Sequence, residues 1–206
     1  MTTQNFKTVI FDVGANDGSS CFKYTEDPST LVYAFEPTPH LLCNHLYPLQ
    51  DCRANYIVIP SAISDYNGKA NFNIAGHDDW GCSSLYEFSD GLNQTWPGRT
   101  DFYITETTEV DVIRMDTFIE NNNIQEIHYM HCDTQGNDLK VLQSFGPYID
   151  RLKSGVVEAT KQNPLYKGVD NTLSSITDFL NDCNFIVTEI SSNNGCPNEV
   201  NISFTR

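Results

Sequence analysis

The run Val9-Ile10-Phe11-Asp12-Val13-Gly14-Ala15-Asn16-Asp17-Gly18 constrains this chain more than any other segment. An apolar, β-branched stretch ends in an acid and then in two glycines four residues apart. Such a run reads as a buried parallel strand that feeds a tight turn and a helix. Gly14 and Gly18 are expected to let the backbone turn sharply and approach a ligand that a Cβ would block. A second apolar run, Leu31-Val32-Tyr33-Ala34-Phe35, ends in Glu36, 18 residues past Gly18. Strand, glycine turn, helix, strand and terminal acid make the nucleotide-binding half of a doubly wound sheet. The acid is placed to accept hydrogen bonds from a ribose. The turn is Asp-x-Gly-x-x-x-Gly, not Gly-x-Gly-x-x-Gly. No pyrophosphate then needs a helix N-terminus, so the expected cofactor is S-adenosylmethionine and not a dinucleotide.

The length of 206 residues suits one domain with a full core. A formal net charge of −15 repels phosphate backbones, so nucleic-acid partners are not expected. The seven cysteines are an odd count with no Cys-x-x-Cys pair, which points to reduced thiols in a cytoplasmic protein. No signal peptide or membrane span is visible in the sequence. The first strand starts almost at the N-terminus, so an excised module of a longer protein is left open.

Further along, strands are expected at Tyr56–Ala62, Lys69–Ile74, Val110–Arg114, Ile127–Asp133 and Gly155–Glu158. Pro37 and Pro39 open a helix carrying Leu41, Leu42 and Leu46. Asp116 is expected to cap a helix with Phe118 and Ile119 on its buried face. Leu139, Leu142 and Phe145 mark another helix. A helix from Thr172, capped by Asp170 or Asn171, buries Leu173, Ile176 and Leu180. Phe185–Ile190 and Val200–Phe204 should close the chain as an antiparallel pair. The stretch 76–109 lacks periodicity and reads as an irregular insertion over the active site. Alternating strands and helices give an α/β fold with a mainly parallel sheet.

In this order and spacing, seven motifs resemble the FkbM family of S-adenosylmethionine-dependent methyltransferases. They are Asp12-Val-Gly-Ala-Asn-Asp-Gly18, Tyr33-Ala-Phe-Glu-Pro37, Ala62-Ile-Ser-Asp65 with Gly68, Ser83-Ser-Leu85, Met115-Asp-Thr-Phe118, Asp133-Thr-Gln-Gly-Asn-Asp-Leu-Lys-Val-Leu142 and Val157-Glu158. The resemblance covers residues 8–160 and fades beyond them. It implies a class I methyltransferase (Rossmann-like) fold: a seven-stranded, mostly parallel sheet with helices on both faces and an antiparallel last strand. It also implies methyl transfer to oxygen, in several members a sugar hydroxyl. The family pattern Asp-x-Glu-Gly-x-Glu departs here to Asp133-Thr-Gln135-Gly136-Asn-Asp138, which removes one carboxylate and shortens another.

On this reading Asp12 orients the methionine amino group, directly or through water, and Gly14, Ala15, Asn16, Asp17 and Gly18 wrap the methionine portion. Glu36 takes the ribose hydroxyls, where an ionised carboxylate accepts two hydrogen bonds. The resemblance places the adenine against Ala62 and Ile63, and Ser83 and Ser84 toward cofactor or acceptor. Asp133 ends a strand at the ligand crevice and is the expected general base, or the group that orients the acceptor hydroxyl. His131 shares its face and is the alternative base. A Mg²⁺ held by Asp133 and Glu158 is a further option. Asp78, Asp79 and Trp80 are the expected acceptor contacts, with Trp96, Tyr86 and Tyr103 as other aromatic platforms for a sugar face. Lys161 is within reach of the crevice. The expected acceptor is a carbohydrate or glycosylated small molecule, preferably a 6-deoxyhexose such as rhamnose or fucose. The rival readings are an RNA 2′-O-methyltransferase, faintly echoed by Asp133, Lys161 and Glu189, and a non-catalytic Rossmann-like binding module.

Overall fold

The computed structural model describes residues 6–76, 80–100, 102–193 and 196–206. β1 (Thr8–Val13) and β2 (Thr30–Phe35) fall where the apolar runs put them. α1 (Pro39–Leu41) continues through a π-helical turn (Leu42–Leu46) into α2 (Tyr47–Cys52). β3 (Tyr56–Ile59), β4 (Ser61–Ile63) and β5 (Gly68–Ala75) follow, then α3 (Leu92–Thr95) and β6 (Ile104–Ile113). The chain continues through α4 (Met115–Asn121), β7 (Tyr129–Cys132), α5 (Asp138–Gln143), β8 (Ser154–Thr160), α6 (Leu173–Asp182), β9 (Ile186–Asn193) and β10 (Cys196–Thr205).

Seven strands form the main sheet in the order β3-β2-β1-β7-β8-β10-β9. All neighbours are parallel except at β10, which runs antiparallel to both β8 and β9. Alternation along the strands feeds two cores. Val9, Phe11, Val13, Leu31, Tyr33 and Phe35 pack on one face against α4, α5 and α6. Ile10, Val32, Ala34, Tyr56 and Val58 pack on the other against Leu42 and Leu46 of the first helical segment. Phe118 of α4 anchors the first core, edge-on to Tyr33 at 5.1 Å and to Phe35 at 4.9 Å between ring centroids.

Four details differ from the sequence-based expectation. The strand expected over Tyr56–Ala62 breaks at Pro60, which has no N–H for a ladder. Its first half stays in the main sheet, and its second half joins a separate three-stranded sheet, β4-β6-β5. Irregular chain ends at Tyr103, because β6 begins at Ile104 and pairs antiparallel with β5 and parallel with β4. Most of β6 up to Glu109 is exposed, so no apolar alternation marks it. Asp116 does not cap α4 but binds the Arg114 guanidinium. The cap of α6 is Thr172, whose Oγ1 accepts from Ser175 N at 3.1 Å. Asn171 turns inward, where its Oδ1 accepts from Leu139 N in the first turn of α5.

Candidate active site

A cleft with about 870 Å³ of empty space opens at the carboxyl ends of β1, β2 and β7. This is the edge where ligands bind in open α/β sheets. The turn after β1 is pinned from below, where Gly14 N and Ala15 N both donate to Phe35 O at 3.0 Å. Gly14 has φ +80°, and a Cβ there would lie 1.9 Å from the carbonyl oxygen of Asp133. Gly18 has φ +84°, and a Cβ there would meet the Leu49 and Tyr56 side chains at 2.6 and 2.9 Å. Both glycines are therefore demanded by the packing of protein on protein. Gly14 also lines the cleft, whereas Gly18 does not.

Glu36 follows β2 and is buried. Its Oε2 accepts from Asn16 N and its Oε1 from Thr38 N, both at 2.9 Å. Burial raises its pKa, and the hydrogen bonds from Thr38 and Asn16 oppose that rise. Each oxygen keeps acceptor capacity beyond these bonds. The carboxylate is thus fixed in orientation at the cleft wall.

Asp12 and His131 are register partners across β1 and β7. Asp12 is wholly buried, and its Oδ1 lies 2.9 Å from His131 Nδ1. Its other oxygen, Oδ2, is buried without a hydrogen-bond partner. Burial pushes the Asp12 carboxyl up despite the histidine. For His131, burial pulls the pKa down, but the hydrogen bond and charge of Asp12 outweigh it and the net shift is upward. With an ionised Asp12 as acceptor, Nδ1 carries the proton and Nε2 is the exchangeable site. His131 lines the cleft and Asp12 stands behind it.

Asp133 also lines the cleft, directly after β7. Gln135, at φ +54°, folds its amide between two acids. Its Nε2 donates to Asp133 Oδ1 at 2.6 Å and to Glu158 Oε2 at 3.1 Å. Tyr166 Oη donates to Gln135 Oε1 at 2.7 Å, and Ser84 Oγ donates to the Gln135 carbonyl at 2.7 Å. An amide NH₂ therefore occupies the place between Asp133 and Glu158 that a bound cation would take. Among the described residues, no group of three or more His, Cys, Asp or Glu side chains could hold a metal ion. The residues present do not fit the Mg²⁺ option. Asp138, next to this loop, is buried and pushed up to about 6, first by burial and then by the charge of Asp133.

A second chamber, with about 500 Å³ of empty space, adjoins the cleft and shares Gly81, Asp133 and Gln135 with it. Its other walls come from Cys82, Trp96, Arg99, Phe102, Glu158, Leu165 and Glu199.

The sequence model of the Methyltransferase FkbM domain matches residues 12–187. This chain belongs to the FkbM methyltransferase family. It is an S-adenosylmethionine-dependent methyltransferase with the class I fold. Among solved structures it is similar to a precorrin-6y C5,15-methyltransferase from Geobacter metallireducens. That likeness has 14% identity and a TM-score of 0.50, over 98% of this chain and 81% of the other. It is also similar to a fibrillarin pre-rRNA processing protein from Methanococcus jannaschii. Here the identity is 13% and the TM-score 0.52, over 100% of this chain and 68% of the other. At such identities the likeness is one of fold. A search of curated proteins gives no match.

The structure of this FkbM domain brings Gly14, Ala15, Asn16, Asp17, Glu36, Ala62, Ile63, Ser83, His131 and Asp133 to one cleft. Four other expected positions fall elsewhere. Asp12 is buried in the sheet, touches His131 and is not part of the cleft lining. Gly18 is buried under Tyr56 and Leu49, outside the cleft lining. Ser84 is buried and holds the Gln135 carbonyl. Lys161 is exposed, lies 3.4 Å from Ser192 Oγ and lines neither cavity. Glu189 is exposed on β9, so the RNA-type set of Asp133, Lys161 and Glu189 is not assembled. Asp78, Asp79 and the side chain of Trp80 lie outside the described residues. Tyr103 is exposed, whereas Tyr86 donates to Asn137 Oδ1 at 2.9 Å. Sequence reasoning missed Thr38, Phe72 and Asn137 in the cleft and Arg99, Phe102 and Glu199 in the chamber. Only Asn137 carried a signal, because it sits in the Asp133–Leu142 motif.

Proposed function

We propose that this enzyme transfers the methyl group of S-adenosylmethionine to a hydroxyl of a carbohydrate or glycosylated small molecule, preferably a 6-deoxyhexose. Glu36 receives the ribose hydroxyls, the turn from Gly14 to Asp17 holds the methionine portion, and Ala62 and Ile63 flank the adenine. Ser83 lines the same wall. The observation that carries the cofactor assignment is the doubly anchored Glu36 carboxylate facing the cleft.

The reaction needs in-line attack by the acceptor oxygen on the sulfonium methyl carbon. The new bond is O–CH₃, and the C–S bond breaks with its electron pair staying on sulfur, giving S-adenosylhomocysteine. The acceptor proton leaves once the new bond forms. Asp133, one oxygen already held by Gln135, orients the hydroxyl. His131, held from behind by Asp12, takes the proton at Nε2. No step here passes through a metal ion.

The preference for a sugar rests on the family resemblance. The net charge of −15 works against a phosphate-bearing acceptor. Six cysteines among the described residues are free, which suits a reducing cytoplasm. Among those residues no helix is long and apolar enough to cross a membrane.

Calorimetric titration with S-adenosylhomocysteine, in chelator and again with Mg²⁺, tests the cofactor site. One-to-one binding indifferent to Mg²⁺ is expected, and no binding in either buffer would favour a non-catalytic module. Radiolabelled methyl transfer to a panel of deoxyhexosides, with RNA as a second arm, tests the acceptor class. Transfer to RNA and not to glycosides would overturn the sugar reading.

A further inference from the structure

The long connection after β5 sets one short run of chain, 81–86, between the cofactor cleft and the loop after β7. Gly81, Ser83 and Leu85 line the cleft, while Ser84 between them is buried and bonded to Gln135. This is the alternation of an extended strand, and Ser84 makes an antiparallel bridge with Asn73 of β5. We infer that Tyr166 is a positioning residue of the transfer: its hydroxyl ties this wall, at Cys82, to Gln135, and so links filling of the cofactor cleft to the placement of Asp133 and Glu158. This deepens the reading above and rests on its placement of S-adenosylmethionine in the cleft.

Three observations carry the assignment. The first is the hydroxyl itself. Tyr166 is only 3% exposed, and its Oη lies 2.7 Å from the Cys82 carbonyl oxygen and 2.7 Å from Gln135 Oε1. A phenol has one proton to donate, so a single donor serves two acceptors on separate pieces of chain. Burial pushes the Tyr166 pKa well above its ordinary value, which keeps that proton in place. One acceptor belongs to the backbone of the cleft wall, and the other to the side chain that bridges Asp133 and Glu158.

The second is how the ring is held. It stacks on Phe88 with ring centroids 5.5 Å apart and planes inclined by 21°. Backbone bonds pair the two segments, Ser89 N to Leu165 O at 2.8 Å and Lys167 N to Glu87 O at 2.9 Å. A Cβ at Gly136 would stand 2.9 Å from the Tyr166 ring, so the glycine lets the loop after Gln135 close against it. The φ of +93° at Gly136 calls for the same residue. A ring packed this closely moves little by itself, so a displacement at Cys82 is felt at Gln135.

The third is that two further ties run beside it. Ser84 Oγ donates to the Gln135 carbonyl at 2.7 Å, and Tyr86 Oη donates to Asn137 Oδ1 at 2.9 Å. Asn137 Nδ2 in turn donates to the carbonyl of Ile63, a residue assigned to the adenine, at 2.6 Å. The run is thus fastened at 82, 84 and 86, while the residues at 81, 83 and 85 line the cleft. Coupling between sites needs such a continuous physical link. Gln135 passes the constraint on through its bonds of 2.6 Å to Asp133 and 3.1 Å to Glu158.

The test is amide hydrogen exchange on the full chain, alone and with S-adenosylhomocysteine at about 100 times its Kd. The reporters are the amides of Ser89 and Lys167, residues that do not line the cleft. If the ligand holds the wall and the wall holds Tyr166, any opening that frees these amides competes with binding. Their exchange should then slow by up to about 100-fold. Tyr166→Phe keeps the ring on Phe88 and removes only the hydroxyl. A cooperative melt without ligand shows that it folds, and it should bind S-adenosylhomocysteine within roughly ten-fold of wild type, since no residue of the cleft lining is changed. In this variant the ligand should still slow exchange at Ser84, on the cleft wall, and should no longer slow it at Lys167. Ser84→Ala leaves the Tyr166 hydroxyl in place and should keep the slowing at Lys167. Wild-type slowing confined to the cleft wall would overturn the coupling and leave the cofactor cleft standing. Slowing at Lys167 that survives Tyr166→Phe, or that is lost in both variants alike, would overturn the assignment to Tyr166. No binding by the wild type would remove the cofactor reading, and the coupling with it.

Discussion

Replacing Glu36 with glutamine tests the cofactor assignment most directly, because the structure makes this small change a severe one. Both carboxylate oxygens accept a backbone N–H, from Asn16 and from Thr38, each at 2.9 Å. Glutamine can accept at only one of these positions, so its NH₂ must face the other N–H. A buried donor left unpaired costs about 1–3 kcal/mol, and for a domain of this size roughly 2–4 °C of melting temperature accompanies each kcal/mol. Glu36→Gln should therefore melt roughly 2–12 °C lower than wild type without ligand. The second effect falls on the ribose. A hydrogen bond to a charged acceptor contributes about 1.5–3 kcal/mol, so losing one weakens S-adenosylhomocysteine binding by roughly 10- to 150-fold. Thermal melting reads the first effect and calorimetry the second. A lowered melting temperature with unchanged affinity would refute the ribose role and leave Glu36 as a brace for the turn. If neither changed, the hydrogen bonds to Asn16 and Thr38 would themselves be refuted.

His131 must be neutral to accept a proton, and its pKa is raised by Asp12, so kcat should climb with pH through a midpoint above the ordinary imidazole value. Asp12→Asn removes the charge and leaves burial, which pulls that midpoint down; a pH profile that does not move would take His131 out of the proton transfer. Gly14→Ala sets a Cβ 1.9 Å from the Asp133 carbonyl at φ +80°, so it should cost at least about 2 kcal/mol, or roughly 4–8 °C of melting temperature. An unshifted melt would mean that the ends of β1 and β7 are not in contact. Gln135→Glu replaces the bridging amide with a third carboxylate and should give the protein a divalent-cation affinity, measurable by calorimetry with Ca²⁺ or Mg²⁺. If that variant neither bound a cation nor lost stability, the bridge would be refuted.

Much of the architecture was legible because it depends on short-range pattern. β1 and β2 are buried on both faces and read as unbroken apolar runs that end in Asp12-Val13-Gly14 and in Glu36. The helix faces of Phe118, Ile119, Ile176 and Leu180 followed from periodicity. β6 stayed hidden, since a largely exposed strand of Thr and Glu carries no apolar alternation. The break at Pro60 was missed because an apolar run does not tell which of two sheets each half will join.

For the site, the sequence alone located the turn, Glu36 after β2 and the acid at the end of β7, because each is tied to the end of a locally recognisable strand. Only the tertiary structure decided what those groups touch. Asp12 and His131 are 119 residues apart and meet through the register of β1 on β7. Gln135 reaches Glu158 across two parallel strands, and Trp96 joins Glu199 in one chamber although their elements are distant in sequence. A strand pattern repeats every two residues and carries information over a few positions. Register, and the way a long connection folds back onto the sheet, are set by the packing of the whole chain.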